Sequence, residues 1–127
     1  MDFKGNKAIY LQISDYVFER ILLGQWPVEE RIPSVRELAA QLEVNPNTVA
    51  RTYELLQQKE MVYNRRGIGI FVATDAPDKI KSIRRKTFLE TELPEVFRSM
   101  YLLDIDLNTF EGLYNTFIDK TFNHEKK

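Results

Sequence analysis

The chain has 127 residues, 43% hydrophobic and 12% aromatic, with 18 basic against 19 acidic side chains and a formal net charge of −1. That is enough for one modest core and a smaller second element, and it excludes a disordered chain and a broadly basic surface. Zero cysteines exclude disulfides and thiol chemistry, the single histidine, His124 in a polar tail, leaves no zinc constellation, and no run nears the roughly 20 apolar residues that cross a bilayer. The opening Met1-Asp2-Phe3-Lys4-Gly5 has neither the charge nor the apolar core of a signal peptide. A cytoplasmic protein with no metal or cofactor is expected.

In chain order, IYLQISDYVFERILLGQW predicts a first helix with one apolar stripe at Ile9, Ile13 and Val17 and a second at Leu11, Phe18 and Leu22. Ser34 followed by Glu37 is a capping box, and Val35, Leu38, Ala39 and Leu42 then give a second helix one narrow buried face. Glu43-Val44 breaks that pattern. Asn45 is placed to cap a third helix, and Pro46 suits its first position, where no backbone N–H is needed. Along helix 46-58, Val49, Tyr53 and Leu56 face the core, while Asn47, Arg51, Glu54 and Gln58 share the opposite side. Met61 to Arg65 and Ile70 to Ala73 read as short strands, joined by Arg66-Gly67-Ile68-Gly69 with its two turn-permitting glycines.

The outward edge of the third helix carries the chemistry that base edges require. Asn pairs bidentately with adenine and Arg with guanine, Thr48 reaches a phosphate or a thymine methyl, and the helix amino end favours an anion. A helical hairpin whose polar side merely faces water is the bland alternative. The hairpin that follows three residues later makes a winged helix-turn-helix the economical fold, mainly α with a small β-hairpin. Its GxG is no nucleotide loop, because the Lys-Ser/Thr and the strand-to-helix context are missing. With a net charge of −1, any positive face must be local: Arg36, Arg51, Arg65 and Arg66, with Lys4, Lys7 or Lys59 at its margin. Modest affinity for a single copy follows.

On the wording IYLQISDYVFERILLGQW, IPSVRELAAQLEVNPNTVART and RRGIGIFVA, residues from about Ala8 to Ala73 resemble the DNA-binding domain of the GntR family of bacterial transcriptional regulators. PSVRELA, VNPNTVAR and the short tail resemble its YtrA-type subgroup. The resemblance implies DNA contact by Ser34 and Arg36 on the second helix, by Asn45, Asn47, Thr48 and Arg51 on the recognition helix 46-58, and by Arg66 and Gly67 in the wing 65-70. Ser34 would be both cap and phosphate neighbour. Many family members carry arginines where this chain has Pro46 and Ala50, so base readout does not transfer to those positions. Val28-Glu29-Glu30 replaces a Pro-Gly, and Glu43 and Glu60 replace glycines at helix ends, which implies backbone strain of about 1 kcal/mol at each of these last two.

Beyond Ala73, Asp75 to Asp78 marks a boundary, giving a DNA-binding domain over residues 1-75 and a helical tail over 76-127. Asp78 is placed to cap a helix through KIKSIRRKTFLETEL, whose basic run from Lys79 to Lys86 reads as a solvated face or as extra phosphate contact. Pro94 should end or kink that helix. Two further helices carry Val96, Phe97, Met100, Tyr101 and then Phe110, Leu113, Phe117, with a break at Asp104 to Asn108. So much apolar surface on about 50 residues needs a partner, either the second stripe of the first helix or a second copy of the chain. Phe97, Met100, Phe110, Leu113 and Phe117 are the candidate dimerisation residues. Aromatics at helical spacing are usually core, so nothing here demands a small-molecule effector, although none is excluded.

An enzyme would need a nucleophile, acid-base pair or metal set; the nearest approach, Asp104, Asp106 and Glu111, is better explained by helix capping. The reading is a non-enzymatic regulator, a repressor binding a pseudo-palindromic double-stranded DNA operator as a homodimer. Its rival is a winged-helix protein-docking module, which would present an apolar patch where this chain has arginine and asparagine.

Overall fold

The computed structural model describes residues 5–123; Lys4 and His124 lie outside the described residues. The chain divides into two compact units between Arg84 and Arg85. In the first, α1 (Ile9–Leu22), α2 (Val35–Leu42) and α3 (Pro46–Gln58) precede a hairpin of β1 (Val62–Arg65) and β2 (Gly69–Val72), and the opening turns of α4 (Ala76–Thr87) complete it.

Helix α1 buries Ile13, Val17, Phe18 and Ile21, whereas Ile9 and Leu22, expected on apolar stripes, stand exposed at its ends. The Ser34 hydroxyl accepts the Glu37 N–H at 3.1 Å and the Glu37 carboxylate accepts the Ser34 N–H at 2.9 Å, so the capping box is closed in both directions. Those bonds hold the Glu37 carboxyl below its ordinary pKa. Asn45 caps α3 by accepting the Asn47 N–H at 2.8 Å, with Pro46 in the first turn. Val49, Tyr53 and Leu56 are buried as their spacing requires, and Thr52 is buried with them.

Glu43 ends α2 at φ 57°, and Glu60 follows α3 at φ 57°. Both glutamates therefore occupy the left-handed conformation expected at these helix ends, where a Cβ meets the neighbouring carbonyl. Glu43 makes no side-chain bond that would offset this among the described residues. Glu43→Gly should raise stability, by roughly 1 kcal/mol less the added entropy of the unfolded glycine. A thermal melt checks it; a lower midpoint would mean that the turn draws net stability from the glutamate.

The hairpin is antiparallel, with Val62 opposite Val72 and Arg65 opposite Gly69. Sequence pattern missed its third member. Residues 29–32 run alongside β2, with the Glu29 N–H donating to Val72 at 2.7 Å and the Ile32 N–H to Ile70 at 2.8 Å. Glu29 sits at φ 65° and accepts hydroxyl hydrogen bonds from Thr74 and Tyr63, which pull its carboxyl below the usual range and push the Tyr63 phenol up. The segment that replaces Pro-Gly thus keeps the unusual backbone and ties it to both arms of the hairpin at its open end.

Helix α4 opens at Ala76, so Asp78 lies in its first turn rather than capping it. Ala76 and Ile80 are fully buried among the helices of the first unit, and Arg84 pairs with Asp15 of α1 at 2.7 Å. The apolar side of α4 finishes the first core, and the first compact unit runs on to Arg84, past the expected boundary at residue 75.

The second unit comprises a wide π-helical turn (Phe88–Glu92), α5 (Leu93–Leu102), α6 (Leu107–Ile118) and a closing π-helical turn (Asp119–Asn123). Pro94 is expected to end or kink the helix, and the regular α-helix is interrupted just before it. It sits in the first turn of α5 while helical backbone continues through the preceding wide turn, which absorbs the hydrogen bond that proline cannot donate. Asp106 caps α6 by accepting the Thr109 N–H at 2.8 Å, and Asp104, at φ 56°, makes the bend before it. These roles account for the aspartates without catalysis. Of the candidate dimerisation residues, Phe97, Phe110, Leu113 and Phe117 are exposed, whereas Met100 is buried inside the unit. Tyr101, Leu102, Leu103, Leu107 and Tyr114 are exposed as well.

Candidate nucleic-acid interface

The spatial relation of α2 to α3 depends on Tyr53. Its ring is buried and its hydroxyl donates to the Pro33 carbonyl at 2.7 Å, one residue before the α2 cap, so the core of α3 holds the entry of α2. Burial pushes the phenol pKa above its ordinary value, and it stays a neutral donor. With that brace in place Arg36 and Asn47 are exposed, Ser34 and Thr48 are half-buried, and Asn45 has committed its side-chain oxygen to the cap while its amide nitrogen remains a donor. Asn47, Thr48 and Arg51 border one hollow of about 390 Å³ together with Ala8, Ile9 and Tyr10.

Arg51 is exposed but not free. Its guanidinium lies over the Tyr10 ring of α1, 3.8 Å from the centroid. The same two helices are joined by the Thr52 hydroxyl, 2.7 Å from the Tyr10 carbonyl that accepts from it. Tyr10 was not legible as a site residue, because its position in IYLQI, three residues before Ile13 and seven before Val17, fits a core stripe.

At the wing, Arg66 and Gly67 form the exposed tip, and Gly67 at φ 78° supplies the backbone that the turn needs. Gly69 is required by its backbone, at φ 147°, where a side chain would be strained; a Cβ there would also push aside the flexible Arg31 side chain, whose Nε would lie 2.6 Å away. Arg65 turns back over the Phe71 ring at 5.0 Å, and Phe71 stacks on Tyr63. The tip is thereby held by an aromatic layer and leaves Arg66 as the outward charge.

In the basic stretch of α4, Lys79 pairs with Asp75 at 3.3 Å and Arg84 with Asp15, an aspartate that Lys7 also meets. Those partners answer part of its charge within the chain, in keeping with a solvated face. Among the described residues no group of three or more His, Asp or Glu side chains could hold a metal, and no helix is long and apolar enough to cross a membrane.

Two capped helices, a braced polar edge and a glycine-tipped hairpin form the geometry of a DNA-binding winged helix. The family model described as "Bacterial regulatory proteins, gntR family" matches residues 9–72. The chain belongs to the GntR family. Over 90 residues it is 41% identical to the uncharacterized HTH-type transcriptional regulator YhcF of Bacillus subtilis, covering 69% of this chain and 74% of that one. It is 27% identical to the HTH-type transcriptional repressor YtrA of the same organism, covering 84% of this chain and 82% of that one. A crystal structure of a GntR-family protein from Bacteroides thetaiotaomicron superposes with a TM-score of 0.65 at 50% identity, covering 88% of this chain and 98% of the other. These relatives are transcriptional regulators, not enzymes, and the GntR chain described here is a helix-turn-helix regulator with a DNA-binding domain.

Proposed function

We propose that this regulator is a cytoplasmic repressor that binds a pseudo-palindromic operator as a homodimer, placing helix α3 in the major groove and the wing 65-70 against the backbone. The observation that carries the reading is the exposed amino-terminal edge of α3, where Asn47, Thr48 and Arg51 border one hollow. These are side chains that discriminate base edges or hold phosphates, at the helix end where an anion is favoured. Ser34, Arg36 and Asn45 flank that edge, with Arg66 and Gly67 on the wing, and contribute positioning. Repression is supported by likeness to YtrA, named a transcriptional repressor.

The homodimer is supported by the exposed Phe97, Phe110, Leu113 and Phe117, apolar surface that a second copy would cover. Two copies about a two-fold axis would set two recognition helices one DNA turn apart, about 34–36 Å.

Binding-site selection from a random duplex library tests the reading. Arg51→Ala should cost about 1–3 kcal/mol at one base position and relax preference there, whereas Arg66→Ala should weaken all sequences evenly and reduce the salt dependence by about one phosphate contact. An unchanged preference in a folded Arg51→Ala protein would sink the base-reading assignment.

A further inference from the structure

Arg51 has two competing neighbours. Glu54 lies three residues along the same helix and is the usual partner for a free surface arginine. The guanidinium instead sits over the Tyr10 ring at 3.8 Å, and no ion pair joins Arg51 to Glu54 among the described residues. Tyr10 is half-buried, and its backbone carbonyl accepts the Thr52 hydroxyl at 2.7 Å, so the backbone that carries the ring is tied to the residue next to Arg51 in sequence. The stack divides the α1–α3 edge. On one side is the hollow bordered by Ala8, Asn47 and Thr48; on the other, a hollow of about 260 Å³ bordered by Glu54, Leu55 and Gln58.

We infer that Tyr10 is a positioning residue for DNA recognition: its ring face holds the Arg51 guanidinium at the boundary of the two hollows, along the edge that also carries Asn47 and Thr48. The inference rests on the reading that Arg51 meets a base. An arginine on a flexible stem must lose its rotamer freedom before a planar, bidentate contact can form, and a flat cation seated on a ring has lost much of it beforehand. The ring contributes through its face, so the phenol hydroxyl is not needed. Tyr10 thus acts through Arg51 and owes nothing to its own contact with the duplex.

The test is a double-mutant cycle on the full chain, using as probe the duplex that the unmodified protein selects from a random library. Arg51→Ala alone should weaken that duplex by about tenfold, within the range of a single base contact. Tyr10→Leu should weaken it by about three- to fivefold, the scale of a partly exposed cation–ring contact, and should relax preference at the base position that Arg51 governs. Tyr10→Phe should remain within about twofold of the unmodified protein, because the ring face is kept. In the Arg51→Ala background, Tyr10→Leu should change nothing further. Matching thermal melts for the five proteins exclude a folding origin.

Each other result overturns the inference in its own way. The same loss from Tyr10→Leu in both backgrounds means that Tyr10 acts independently of Arg51. A loss in Tyr10→Phe assigns the effect to the hydroxyl meeting the duplex directly. Tighter binding by Tyr10→Leu means that the ring withholds the arginine. No effect of Arg51→Ala removes the base contact itself, and the proposed function falls with it, an outcome distinct from the other three.

Discussion

Cutting the chain after Lys86 should leave a folded, monomeric domain that binds a duplex with two half-sites hardly better than a duplex with one. The cut keeps Ala76 and Ile80, which are fully buried in the first core, and the Arg84 to Asp15 pair, whereas a cut after Ala76 would remove Ile80 from that core. What it removes is the second unit, with its exposed Phe97, Phe110, Leu113 and Phe117. Joining two weak half-site contacts into one molecule multiplies affinity by about 10²–10⁴ without any new contact to DNA, so the expected loss on the full site is of that size. Sedimentation gives the mass and a gel-shift titration the affinity. A truncated domain that stays dimeric with undiminished affinity would move the dimer contact into the first unit and leave the tail to another role.

Tyr53→Ala should destabilise the protein by roughly 3–5 kcal/mol, the cost of removing a buried aromatic ring whose space cannot collapse. Tyr53 is among the largest fully buried side chains, and it touches both the α3 core and the carbonyl ahead of α2. Against a total stability of about 5–15 kcal/mol this is a large share of what keeps the chain folded. Tyr53→Phe keeps the ring and leaves the Pro33 carbonyl without its donor, for a loss of about 1–2 kcal/mol. Urea unfolding of the three proteins separates the two contributions. Equal losses in both variants would assign the whole effect to the hydroxyl and leave ring packing without weight.

The parts of this fold that were legible in the sequence are those fixed within one helical turn or one hairpin. Ser34 with Glu37, Asn45 with Pro46, and Gly67 between two short strands each act through hydrogen bonds or backbone angles a few residues apart, and each stands where its spacing puts it. Glu43 and Glu60 belong with them, because helix ends dictate a left-handed residue whatever side chain fills the place. Two features took their final form from the backbone around them. Asp78 has a capping side chain but lies inside a helix already opened at Ala76, and Pro94 has a helix-breaking ring that a wide preceding turn accommodates. In both, the residue type was read correctly and the neighbouring backbone set its effect.

The sequence by itself determined the family, the order of helices and wing, and the polar edge of α3, because capping, periodicity and turn chemistry are local and survive without knowledge of the remaining chain. Only the tertiary structure decided what joins residues distant in sequence. It decided the pairing of residues 29–32 with β2, the hold of Tyr63 and Thr74 on Glu29, and the closure of the first core by Ile80. It also decided the seat of Arg51 on Tyr10, 41 positions away in numbering (51 − 10) and adjacent in space. No periodicity encodes such pairs: each depends on the angle at which two elements meet, and that angle is set by the packing of the whole core.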